Sequence, residues 1–188
     1  MKKSIISTAI FFIMIVGTPS VSFAEVQQNH RITLVEFFDF SCPLSAHGVK
    51  SIALLKKNFS GKIKIVRKAV SSFDDNFSYL ASKYFYALKK QNRELGEKFY
   101  NRVFEDVFKT DKNEDYLQIL SQNLGADLAR LKMDLLSPRF ASLFQKNEEE
   151  ARNNGIFVSP GYLLNGEVLV GKQDVEVFVS HINKVLKK

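Results

Sequence analysis

Phe40-Ser41-Cys42-Pro43-Leu44-Ser45 is the one stretch of this sequence that gathers a soft nucleophile, a turn and a place for a helix to begin. Pro43 suits the first helical position, where its missing N–H is one that a helix leaves unbonded anyway. A thiol just ahead of that position feels the partial positive charge of the unbonded N–H groups, which favours thiolate over thiol. Cys42 is therefore a candidate nucleophile. The competing reading is a buried structural cysteine, the commonest fate of a free thiol. Cys42 is also the only cysteine in 188 residues, so an internal disulfide, a cysteine zinc finger and an iron–sulfur cluster are all excluded.

Glu36 is the second chemical group, a carboxyl inside the apolar run Ile32 to Phe40. A carboxyl so placed is either protonated, paired or carried at an edge that reaches solvent. His47 lies five residues along a helix from Cys42 and points to another side of it. His30 and His181 have no partner at ligand spacing, so no metal site is expected. Arg67 and Lys68 close a basic-apolar alternation and are expected to be solvated strand-end charges.

The elements that must position these groups follow from periodicity. Ile32 to Phe40 reads as a strand buried on both faces, and Ile63 to Val70 as a second strand. Between them Val49, Ile52, Ala53, Leu55, Lys56 and Phe59 recur at helical spacing, ended by Asn58-Phe59-Ser60-Gly61, so the order is strand, helix, strand, a parallel crossover. From Phe77 to Asn154 there is no strand signal. Apolar residues repeat there at three and four, with Asp127 as a cap, Pro138 as a start and Gly125 and Gly155 as stops, which predicts five helices. Strands resume at Tyr162-Leu163-Leu164 and Glu167-Val168-Leu169-Val170, and the Asn165-Gly166 between them is a hairpin signal. Asp174 to Leu186 closes the chain as an amphipathic helix.

Composition narrows the function classes. With 45% hydrophobic and 25% charged residues, 17 Phe, and sparse Gly and Pro, the chain is globular rather than collagen-like or disordered. Lys2-Lys3, an apolar run from Ala9 to Val16, the break at Gly17-Thr18-Pro19 and small residues at Ser22-Phe23-Ala24 predict a signal peptide over residues 1–24. The run is too short to span a bilayer. Loss of Lys2 and Lys3 lowers the formal charge from +7 to about +5, an ordinary excess, and no basic stretch is interleaved with aromatics, so nucleic acid is not an expected partner.

LVEFFDFSCPLS, followed more than a hundred residues later by GIFVSPGYLLNGEVLVG, resembles the DsbA-like family of periplasmic thiol-disulfide oxidoreductases, from about Thr33 to the C-terminus. The resemblance implies an α/β thioredoxin-like fold with a helical subdomain inserted between the second strand and the cis-proline loop. In domain terms, it implies a single unit over residues 25–188, with a core at about 31–75 and 155–188 and an insertion at about 76–154. It also implies that Cys42 is the attacking thiol, that Glu36, six residues ahead, is the acid beneath it, and that Pro160 is a cis-proline facing Cys42. Ser159 would be the variable residue before that proline, and Pro43, Leu44, Ser159 and Pro160 the substrate-binding residues.

One departure from the family pattern decides the chemistry. The family's site is Cys-x-x-Cys, and Ser45 stands at its fourth position, so the dithiol that stores and donates a disulfide is absent. A single thiolate still attacks a substrate disulfide to form a mixed disulfide. Ser45 either hydrogen-bonds the Cys42 thiolate or is a surface residue without a role. The expectation is an exported monothiol enzyme of isomerase, reductase or deglutathionylating type. It would use no bound cofactor, with glutathione or another small thiol as a candidate co-substrate. Cysteine-containing exported proteins or peptides, and a membrane redox partner, are the expected partners, and the periplasm or another extracytoplasmic compartment the expected location. The alternatives are a non-enzymatic thioredoxin-fold peptide-binding protein or chaperone, and a glutathione transferase-like activity.

Overall fold

The computed structural model describes residues 32–70, 75–106 and 113–186, and the leader expected over residues 1–24 lies outside them. The elements run β1 (Ile32–Phe38), α1 (Pro43–Asn58), β2 (Ile63–Ala69), then α2 (Asn76–Gln91), α3 (Arg93–Asp106), α4 (Glu114–Asn123), α5 (Leu128–Leu135) and α6 (Arg139–Asn153), then β3 (Gly161–Leu164), β4 (Glu167–Val170) and α7 (Val175–Leu186). This is the α/β architecture expected, with the helical layer inserted between β2 and β3. Val107 and Phe108, which continue the apolar spacing of α3 in the sequence, fall outside the described residues.

The four strands form one sheet in the order β2-β1-β3-β4, with β1 and β2 parallel and β3 antiparallel to both neighbours. The crossover from β1 to β2 is α1, because parallel neighbours cannot be joined by a tight turn. The β3–β4 hairpin turns at Asn165 and Gly166 with φ of 49° and 88°, the left-handed pair that a two-residue hairpin needs. β1 is thus a central strand, with Ile32, Leu34, Glu36, Phe37 and Phe38 buried and Thr33 and Val35 partly so.

Alternation along β1 divides the interior. Ile32 and Leu34 face a core shared with Ile52 and Leu55 of α1, Tyr162 and Leu164 of β3, and Phe178 and Ile182 of α7. Phe37 faces the opposite side with Ala151 of α6, Ile156 and Leu163. Phe38 and Phe40 reach into the inserted layer, where Phe38 meets Phe40, Phe85 and Tyr100 edge-on at 4.9–5.5 Å between ring centres. Such pairs contribute beyond their buried area. The insertion is therefore tied by aromatic packing to the segment that leads directly into Cys42.

The inner face of α1 departs from the apolar pattern read in the sequence. Its buried residues are Ser45, Gly48, Ser51, Ile52 and Leu55, whereas Ala53 and Lys56 are exposed. Small side chains are buried here because the helix rests closely on the sheet, and a count of apolar residues passes over them.

Candidate active site

The chain leaves β1 at Phe38 and must reverse into α1 within four residues. The backbone N–H of Cys42 donates to the Asp39 carbonyl at 3.1 Å, and Cys42 takes the N-cap position with extended backbone (φ −86°, ψ 116°). Pro43 follows at the first helical position, which matches its missing donor. Among the described residues Cys42 is a free thiol, partly exposed, at the positive end of a sixteen-residue helix.

The loop before β3 meets the cysteine from the other side. The Ser159–Pro160 bond is cis, Pro160 is buried, and the Cys42 thiol donates to the Ser159 carbonyl at 3.2 Å. Ser45 is fully buried, which removes the surface alternative. Its Oγ lies 2.9 Å from the Ser159 Oγ and accepts from the Asp39 N–H at 3.3 Å. Cys42 and Ser45 therefore converge on one residue, Ser159. Leu44, Phe157 and Val158 are exposed apolar side chains next in sequence to these groups.

Glu36 lies on the sheet face beneath α1 and is completely buried, so the edge alternative fails with β1's central position. Its Oε1 accepts from the Tyr100 hydroxyl at 2.7 Å, and its Oε2 lies 3.1 Å from Arg67 Nε. Arg67, expected as a solvated strand-end charge, is instead only 4% exposed. Glu36 and Arg67 are register partners on β1 and β2, so the arginine is held over the carboxylate, and it also pairs with Glu97 of α3 and stacks on Tyr100 at 4.1 Å. Burial raises the Glu36 pKa, with Arg67 and then the Tyr100 hydrogen bond pulling it down. Lys68 pairs with Glu150 of α6, and His47 is exposed. His181 pairs with Glu167 at 2.7 Å, and among the described residues no cluster of three or more His, Cys, Asp or Glu is placed to hold a metal ion.

Tyr162, which the sequence offers only as the start of a strand, is the register partner of Glu36 on β3. Among the described residues its buried hydroxyl has no hydrogen-bond partner, and it sits against Gly48, where a Cβ would overlap it. Burial and then the charges of Glu36 and Cys42 push its pKa well up. Gly48→Ala is expected to lower stability by about 1–3 kcal/mol in urea unfolding. Tyr162→Phe, which removes an unsatisfied hydroxyl, should leave stability unchanged or higher and recover part of the Gly48→Ala loss. Additive losses in the double variant would disprove the contact.

The decisive comparison is with family models: the DSBA-like thioredoxin domain matches residues 33–183. This chain belongs to that family. DsbA-like folds also head the structural likenesses. The thiol-disulfide exchange protein α-DsbA2 from Wolbachia pipientis aligns with a TM-score of 0.75 at 19% identity, over 84% of this chain and 83% of that one. BdbD from Bacillus subtilis, in its oxidised form, gives 0.73 at 24% identity, over 85% and 90%. A periplasmic thioredoxin-like protein from Salmonella enterica serovar Typhimurium gives 0.70 at 16%, over 85% and 87%. At these identities the likeness establishes the fold. No curated protein matches the sequence. The chain's single cysteine is Cys42, with Ser45 three residues further on.

Proposed function

We propose that this protein is an exported monothiol thiol-disulfide exchange enzyme whose nucleophile is Cys42. The observation that carries the reading is Cys42 at the N-cap of α1, in contact with the residue before cis-Pro160, in a DsbA-like chain with Ser45 in place of a second thiol. In the reaction, the Cys42 thiolate attacks one sulfur of a substrate disulfide. A new S–S bond forms, and the other substrate sulfur leaves as a thiolate and takes up a proton. No net oxidation has occurred. A second substrate thiol then displaces Cys42, which isomerises the substrate; alternatively one glutathione attacks the Cys42 sulfur and releases the substrate as a dithiol, and a second glutathione frees Cys42 as oxidised glutathione forms, so that two glutathiones reduce one substrate disulfide.

Ser159, Pro160, Pro43 and Leu44 are the proposed substrate-binding residues, and Ser45 and Glu36 the proposed polar support of the nucleophile. Cysteine-containing exported proteins or peptides, and a membrane redox partner, are the proposed partners. The reading places residues 1–24 as a cleaved leader and residues 25–188 as the working domain in the periplasm or an equivalent compartment. Support for the location comes from the basic, apolar and small-residue succession at the start of the chain and from the periplasmic relative named above. N-terminal sequencing of the exported protein should begin at Glu25.

The test of activity is incubation of the mature protein with oxidised glutathione, followed by intact-mass analysis. The wild type should gain one glutathione on Cys42 and release it to a second thiol, and Cys42→Ala should gain none. Failure to form the adduct, together with reactivity towards a disulfide reagent no faster than a model thiol at mildly acidic pH, would overturn the enzyme reading. The exposed Leu44, Phe157 and Val158 would then favour a peptide-binding protein without turnover.

A further inference from the structure

The turn that presents Cys42 is held by a residue far away in sequence. Ser78 is on the first turn of α2, in the inserted helical layer, and is fully buried. Its own backbone N–H is bonded to the Asp75 carboxylate at 2.9 Å, the N-cap of α2, which fixes where the side chain is delivered. Its hydroxyl accepts from the Phe40 backbone N–H at 3.2 Å and donates to the Asp39 carboxylate. The same carboxylate oxygen accepts from the Ser41 N–H at 2.8 Å. The Asp39 backbone in turn holds both active-site positions, its carbonyl accepting from the Cys42 N–H and its N–H donating to Ser45 Oγ.

Every residue from 39 to 42 is therefore tied, directly or through Asp39, to one hydroxyl from the insertion. From this we infer that Ser78, acting through Asp39, is a positioning residue for the Cys42 nucleophile, so that the inserted helical layer sets the reactivity of the site. The inference deepens the proposed function and rests on Cys42 being its nucleophile. The physical ground is that Phe40 is buried, so its N–H finds no water when Ser78 is lost and the turn must move to satisfy it. Alkylation proceeds through the thiolate, so its rate falls when the sulfur is moved away from the partial positive charge at the start of α1.

The test is the second-order rate of Cys42 alkylation by iodoacetamide in the full mature chain, at a temperature where each variant is shown to be folded by its unfolding curve. Ser78→Ala and Asp39→Ala should each slow the reaction about tenfold. Asp39→Asn, which keeps the carbonyl oxygen that accepts from Ser41 and Ser78, should restore most of the rate. The Ser78→Ala/Asp39→Ala double variant should be no slower than either single one, because the two residues act as one unit. Wild-type rates in Ser78→Ala, or losses that multiply in the double variant, would overturn the inference. The rates do not depend on disulfide turnover. Absence of a glutathione adduct in the wild type would therefore defeat the proposed function while these comparisons still decide the positioning role.

Discussion

Ser45→Cys is expected to give this protein an internal dithiol that oxidises reduced substrates, which a lone Cys42 is proposed not to do. Wild-type Cys42 has no second thiol to pair with, so it holds no oxidising equivalents of its own. Position 45 is one helical turn from Cys42, and its N–H already donates to the Cys42 carbonyl at 3.0 Å. Side chains three apart on a helix have Cβ atoms about 5–6 Å apart, and small torsional adjustments at the N-cap bring two sulfurs into disulfide geometry. Ser45 Oγ and Cys42 Sγ already share Ser159 as a neighbour, so the introduced sulfur starts on the correct side of the helix. After oxidation and removal of the oxidant, the variant should show no titratable thiol. It should also transfer one disulfide per molecule to a reduced two-cysteine peptide. Wild type carrying Cys42 as the free thiol, with no mixed-disulfide adduct, should transfer none. A variant that keeps two free thiols under mild oxidant would show that the Cys42 turn is not arranged as described.

Arg67→Met should be the most destabilising single substitution near the site. It removes the cationic partner of a fully buried carboxylate and leaves Glu97 with Lys56 at 3.4 Å as its remaining ion pair among the described residues. Breaking one member of a buried pair costs about 3–5 kcal/mol, and for a domain of this size that corresponds to a fall in melting temperature of roughly 6–20 °C. The pH dependence has a definite sign. Glu36 already titrates above its ordinary value because burial outweighs Arg67 and Tyr100, and loss of Arg67 raises it further. A carboxyl whose pKa is raised by folding favours the native state most below its unfolded pKa, where it is protonated in both states. That contribution is lost as pH rises through the folded-state value. Arg67→Met should therefore lie closer to wild type at pH 5 than at pH 8. Glu36→Gln on the Arg67→Met background should remove this pH dependence. A loss equal at both pH values would show that packing, not the uncompensated carboxylate, accounts for it.

Much of this molecule is decided locally, and those parts are legible in the sequence. Pro43 after Cys42 dictates where α1 begins, Asn165-Gly166 dictates the hairpin, and the three-and-four repeats from Phe77 onwards dictate helices, because each depends on backbone preferences and on which face of one element is apolar. The chemistry of Cys42 with Ser45 was equally visible, since spacing along one helical turn is a local property. What surrounds those atoms was not. Arg67 is an ordinary solvated charge on an isolated strand, and only the register with β1 places it over Glu36. Gly48 is unremarked in the sequence until the β3 register sets the Tyr162 hydroxyl against it. Ser78 is one of several serines on a helix, and only the packing of the insertion on Phe38 and Phe40 carries its hydroxyl to the turn before Cys42. The physical reason is the same in each case. Pairing across strands and between layers joins residues by register, which no single element contains, so the proposed nucleophile lies in one hexapeptide while the residues around it are brought from β2, β3 and α2 by folding.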